Sequence, residues 1–313
     1  MCEDNQTTIT NVFLLGFPNF QKFKFALFVL FLVIFLVILI GNIFVISVMS
    51  ISHCLRHPMY LFIKNLALAD ILFTSNLLPQ LLYVILFEGG HISVAVCILQ
   101  YYFHSFLVFA QCFILTVMSY DRYLAIRKPL QYSSVMNANH SLLLVYLSWV
   151  LAFIFITSEI ILVYQLHFCS TNLIDHFFCD IGPLLQLSSS DTSILALYDL
   201  MISVIGVFFP FTLVITSYAC IVNIIIKISS KTGRQKAFST CSSHLIIVCI
   251  YYGTVIAIYV LPSLGNSATE NKFKSLIYTN LTPFINPFVY SLRNKEILRI
   301  LKNLFRRIWI NNE

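Results

Sequence analysis

Long apolar runs separated by short polar segments dominate this chain. They cover roughly 25–50, 58–86, 92–126, 141–163, 195–227, 237–262 and 272–292. As a helix rising 1.5 Å per residue, each is long enough to cross the ~30 Å hydrocarbon core of a bilayer, with tilt where it is longer. A helix also satisfies its own backbone polar groups, as lipid requires. The pattern predicts an all-α membrane protein built as a seven-helix transmembrane bundle. After the last run the period changes. Ile297, Leu298, Leu301, Leu304 and Phe305 follow helical spacing with basic residues opposite. That predicts a short C-terminal amphipathic helix lying on the membrane interface. The expected organisation is an outer N-terminal segment (1–24), the bundle (25–292), and an inner helix and tail (293–313).

Charge orients the bundle. Of the 19 lysines and arginines, all but Lys22, Lys24, Lys272 and Lys274 fall on one side of this topology, among them Arg56, Lys64, Arg127, Lys128, Lys231, Arg234, Lys236, Arg293, Arg306 and Arg307. The basic side is the cytosolic one, so the N-terminus is expected outside. The acids Glu88, Asp175, Asp180, Asp191 and Glu270 lean to the outer loops. Composition agrees: 59% of residues are hydrophobic and 10% charged, against ~25% charged in a soluble domain. The first run carries no cleavage pattern and is expected to act as an uncleaved signal anchor. Asn5-Gln6-Thr7 is a glycosylation sequon on the outer side. Nine cysteines suggest one or two outer disulfides with buried free thiols elsewhere.

Polar residues inside apolar runs are the candidates for chemistry, because lipid makes them expensive. Asn42, after Gly41, and Asp70 must face the bundle interior. Two readings stand side by side: interhelical glue, or a polar cluster that rearranges during switching. Asp121-Arg122-Tyr123 closes the third run at the cytosolic boundary. An arginine that pairs with Asp121 in one state and a partner in another makes a bistable element. Pro287 removes a backbone donor and kinks the seventh helix, and Asn286 can serve the freed carbonyls or reach Asp70. Cys241 and His244, three residues apart, are too few ligands for a metal. Glu159 and Asp199 sit near the outer ends of their runs and are expected at the interface rather than at a ligand.

Four stretches carry a resemblance. They are Pro58-Met59-Tyr60-Leu61-Phe62 with Asp70, Met118-Ser119-Tyr120-Asp121-Arg122-Tyr123-Leu124-Ala125-Ile126, Lys236-Ala237-Phe238-Ser239-Thr240-Cys241-Ser242-Ser243-His244-Leu245, and Pro283-Phe284-Ile285-Asn286-Pro287-Phe288-Val289-Tyr290-Ser291. Together, with Ser217-Tyr218 as a weaker marker, they resemble the olfactory receptors, a branch of the rhodopsin-like G-protein-coupled receptors. The resemblance covers nearly the whole chain and departs at Ile63 and Ala67.

The resemblance implies that Cys97 pairs with Cys179. Ser189 stands where the family has a further loop cysteine, which leaves Cys169 as a free thiol or paired with Cys2. It implies a pocket formed by His104, Ser105, Val108, Phe109 and Cys112 of the third span and Ile202, Gly206 and Val207 of the fifth. Tyr251, Tyr252, Val255, Ile256 and Tyr259 of the sixth and Leu276, Thr279 and Asn280 of the seventh would complete it. No carboxylate stands at position 104, so a small neutral or weakly polar ligand is expected. Asp121, Arg122, Tyr123, Tyr218, Asn286, Pro287 and Tyr290 would form the switch toward a stimulatory olfactory-type G protein that raises cyclic AMP. The family often has a glutamate where Gln111 stands, and that acid with Asp70 would make a cation site; with Gln111 only one carboxylate remains there for a sodium ion, and no cofactor is expected. The implied location is the plasma membrane, in cilia of olfactory sensory neurons.

Other classes fit less well. A transporter or channel would show repeat symmetry, paired broken helices or a ring of charges. An enzyme would show a nucleophile, base and orienting group with a supporting motif. None is legible, and no nucleic-acid partner is expected. Within receptors, the alternative is a rhodopsin-like receptor for a non-odorant small molecule.

Overall fold

The structure, a computed structural model, describes residues 9–51, 57–169, 172–259, 268–293 and 298. The side chains of residues 236, 240, 257–259, 268, 269, 271, 292 and 293 fall outside that description. Asn5, Cys2 and nearly all of the C-terminal amphipathic segment therefore lie outside the described residues, as does the side chain of Tyr259.

The molecule is a seven-helix bundle. Its long helices are α1 (Lys24–Ile51), α2 (Pro58–Phe87) and α3 (Val94–Arg127). After a one-turn α4 (Tyr132–Val135) come α5 (Ala138–Val163), a loop helix α6 (Ile181–Leu187), α7 (Ser193–Ser203), α8 (Phe209–Lys227), α9 (Lys231–Tyr259) and α10 (Ala268–Arg293). Side-chain oxygens cap two of the long helices: Ser93 accepts from the Val96 amide at the start of α3, and Asn137 from the His140 amide at the start of α5. The third helix starts at Val94 rather than near 92, because Gly90–Ser93 is a strand.

The fifth span is broken. A π turn at Val204–Phe208 joins α7 to α8. Pro210 follows it and has no amide hydrogen to close the regular ladder. Gly206 lies in the turn, where an added Cβ would come within 1.9 Å of the Phe109 ring. The turn and the glycine let α3 and the fifth span interlock.

The outer segment is more than a polar leader. β1 (Asn11–Leu14) pairs antiparallel with β2 (Gly90–Ser93) and parallel with β3 (Leu173–Ile174). Val12 and Leu14 are buried beneath this small sheet with Val84, Tyr101 and Leu184. Lys272 of α10 clamps it, donating to the Gly16 carbonyl at 2.7 Å and pairing with Asp175. α1 is the opposite case. Leu30, Val33, Ile40 and Ile43 are each more than half exposed, a surface that a bilayer would cover.

Candidate functional site

Three buried polar centres run along the bundle axis. The middle one is Asp70, fully buried in α2. Gln111 of α3 donates to its Oδ1 at 3.0 Å, and Asn286 of α10 to its Oδ2 at 2.7 Å. Of the two roles open to Asn286, reaching Asp70 is the one adopted. The carbonyl left free by Pro287 is that of Pro283, four residues earlier, and Asn42 serves it at 3.2 Å. Gly41 makes the approach possible, since a Cβ there would lie 3.0 Å from the Pro287 ring. Each polar residue in this centre thus ties one helix to another.

The second centre closes the cytosolic end of α3. Arg122 holds Asp121 through Nε at 3.0 Å and Nη2 at 2.5 Å, with the acid fully buried. Tyr132 of α4 donates to the other Asp121 oxygen at 2.6 Å and stacks on His57. Tyr123 instead meets Arg127. Across the bundle the Tyr218 hydroxyl meets His244 Nδ1 at 2.6 Å. That occupies the histidine with a tyrosine. Tyr290 is buried between these two centres, its hydroxyl without a hydrogen-bond partner among the described residues.

The third centre is a cavity of about 70 Å³ in the outer half. His104, Ser105, Val108 and Phe109 of α3 line it with Val207 of the π turn and Val255 of α9. These six come from the expected pocket. The rest of that set falls elsewhere. Cys112 lies below, its thiol 3.4 Å from the Tyr251 hydroxyl, which donates to the Val108 carbonyl at 2.8 Å. Tyr252 stacks on Phe211, Ile202 and Gly206 pack in the fifth span, and Ile256 is half-buried outside the lining. Thr279 bonds back to the Ser275 carbonyl. Leu276 and Asn280 line a different hollow of about 440 Å³ against α1 and α2. That hollow is larger, but it opens on the lipid-facing side of α1.

The lining also corrects the reading of two acids. Glu159 and Asp199 are not simply interfacial: both line the cavity, with Asp180 and Tyr101. Glu159 is almost fully buried and accepts from the Tyr101 hydroxyl at 2.6 Å. The signal was available, because an acid inside an apolar run is a functional candidate by default. What position along the chain could not give is that the α5 and α7 acids line the same cavity.

A disulfide tethers the loop that roofs this cavity. Cys97 and Cys179 are bonded, with Cα atoms 5.4 Å apart. Gln100 accepts from the Cys179 amide at 3.0 Å and sets the loop's height. Cys169 is itself disulfide-bonded, which removes the free-thiol alternative. His176, Phe177 and Phe178 plunge from the loop into the bundle mouth, Phe178 against His104. Burial pushes His176 down to about 4, so it is neutral at physiological pH.

Comparison with known proteins places this architecture. The olfactory receptor family profile matches residues 31–307. The chain belongs to the olfactory receptor family. Olfactory receptor 1S1 of Homo sapiens is 42% identical over 98% of this receptor and 94% of its own length. Olfactory receptor 1468 of Rattus norvegicus is 40% identical over 96% of each chain. Olfactory receptor 1 of Rattus norvegicus is 41% identical over 99% of this receptor and all of its own length. The receptor is therefore a membrane protein of a family that takes small ligands and works with a G protein.

Proposed function

We propose that this chain is an odorant receptor of the plasma membrane, with its N-terminus outside and residues 293–313 in the cytosol. A small, mostly apolar volatile ligand enters the cavity under the disulfide-tethered loop. Occupation shifts the helix equilibrium that ends at Asp121 and Arg122, and a stimulatory olfactory-type G protein then raises cyclic AMP. The observation that carries this reading is the pairing of two ends on one helix. α3 lines the cavity through His104–Phe109 and holds the closed Asp121–Arg122 pair about three to four turns further on. A ligand that prefers one arrangement of α3 biases both ends, and the coupling is reciprocal. Tyr123, Tyr218, Asn286, Pro287 and Tyr290 lie along the same route and complete the switch. The chain acts as a receptor rather than an enzyme, in cilia of olfactory sensory neurons.

The test is cyclic AMP in cells expressing the chain with an olfactory-type stimulatory G protein, against a broad panel of volatiles. A response that Arg122→Ala abolishes at equal surface level is expected. Silence across the panel, with the receptor at the surface and the G protein functional, would overturn the reading.

A further inference from the structure

The cavity has an unbalanced charge. Glu159, Asp180 and Asp199 all line it. Lys24, Arg122 and Lys272 are each paired with another acid, Glu88, Asp121 and Asp175, and no lysine or arginine is among the described residues lining the cavity. Asp180 spends one oxygen on the Ile181 amide. Glu159 receives the Tyr101 hydroxyl, and Asp199 lines the same space beside it. A second observation points into the same space. His104 is 2% exposed and lines the cavity, yet neither ring nitrogen meets a hydrogen-bond partner among the described residues. Its surroundings are the rings of Phe73, Phe178 and Tyr278. A polar ring so deep is normally paired. Opposite the acids, the walls are apolar: Val108, Phe109, Val207 and Val255.

Glu159 is buried and Asp180 and Asp199 are half-buried; acids so placed without a cation are costly, and a cation supplied from outside recovers that cost as affinity. We infer that the ligand is a short aliphatic amine bound as its ammonium ion, seated between Glu159 and Asp199, with its alkyl chain against the valines and Phe109. The ammonium supplies the positive charge and the N–H donors that the cavity lining lacks. His104, whose ring nitrogens lack a partner among the described residues, accepts a further N–H. A cavity of about 70 Å³ holds a ligand of about five or six non-hydrogen atoms, the size of butylamine or pentylamine. The inference rests on the proposed ligand cavity and replaces the expectation of a neutral ligand, which considered position 104 alone.

The experiment compares matched pairs on the full-length receptor: n-butylamine with 1-butanol, and n-pentylamine with 1-pentanol. Two readouts run in parallel, thermal unfolding of the detergent-purified protein and cyclic AMP in cells. Amines are expected to raise the unfolding temperature and to activate at concentrations at least tenfold below the alcohols. Butyrate, repelled by the acids, is expected to do neither. Glu159→Gln, which keeps an acceptor for Tyr101, and Asp199→Asn should each weaken amine binding tenfold or more. If the alcohols bind and the amines do not, the amine inference is overturned while the receptor reading stands. If amines stabilise the wild-type protein but raise no cyclic AMP at normal surface level, the amine site stands and the signalling reading falls. If neither class binds, the amine inference is overturned. The comparison of amine with alcohol on the wild-type protein decides the matter even where a variant fails to fold.

Discussion

Asp70 and Glu159 are both acids buried almost completely in a membrane bundle, and they are treated in opposite ways. Asp70 receives one amide donor on each oxygen, from Gln111 and Asn286, on two other helices. Glu159 receives one tyrosine hydroxyl and shares its cavity with another acid, Asp199. Asp121 is supplied more fully than either, with two donors from Arg122 on one oxygen and the Tyr132 hydroxyl on the other. The first arrangement is complete and holds helices together. The second is incomplete and invites a partner from outside. What distinguishes a structural acid from a recognition acid here is how many donors the fold supplies, since burial is the same.

The strongest way to break the comparison is to remove Asp70. Asp70→Ala strands two buried amides and should cost about 3–5 kcal/mol, seen as loss of surface receptor and of a folded transition in thermal melts. Next comes Gln111→Glu, which converts the complete centre into one resembling the outer acid pair. It should destabilise by about 1–3 kcal/mol. Sodium should restore the unfolding temperature, whereas the wild-type protein should show no specific sodium response. Glu159→Gln should go the other way, leaving ligand-free stability equal or raising it by about 1–2 kcal/mol, because it relieves a like-charge pair. A lowered unfolding temperature would show that Glu159 is structural after all. The smallest effect is expected at Asp121, where one of three donors is removed. Tyr132→Phe removes one hydrogen bond to Asp121, worth about 1 kcal/mol at a half-exposed position. Basal cyclic AMP should rise by about fivefold or less.

These contrasts also mark what could be read before folding. Asp70 and Asn42 are legible as interior positions because the bilayer penalises them wherever the helices stand, and Pro287 is legible as a kink because it lacks an amide hydrogen. Their partners were only partly legible: Asn286 had two candidate roles, and Asn42 proved to serve the carbonyl that Pro287 frees. The α3 positions came with the family resemblance, and four of them, His104, Ser105, Val108 and Phe109, do line one cavity. The α10 positions do not. Leu276 and Asn280 share a helix face with each other, but the rotation of α10 against α1 turns that face to another hollow. The π turn at Val204–Phe208 likewise re-aims the fifth span, and a single apolar period does not reveal it.

The sequence by itself determined the number of spans, the expected orientation of the chain and the family, since hydropathy, basic residues and local motifs act within one segment at a time. Tertiary structure alone decided which acids meet. Glu159 and Asp199 are 40 residues apart on different spans, and their joint proximity to His104 depends on helix rotation and on the disulfide-held loop. Those are properties of packing between segments, which no local pattern specifies.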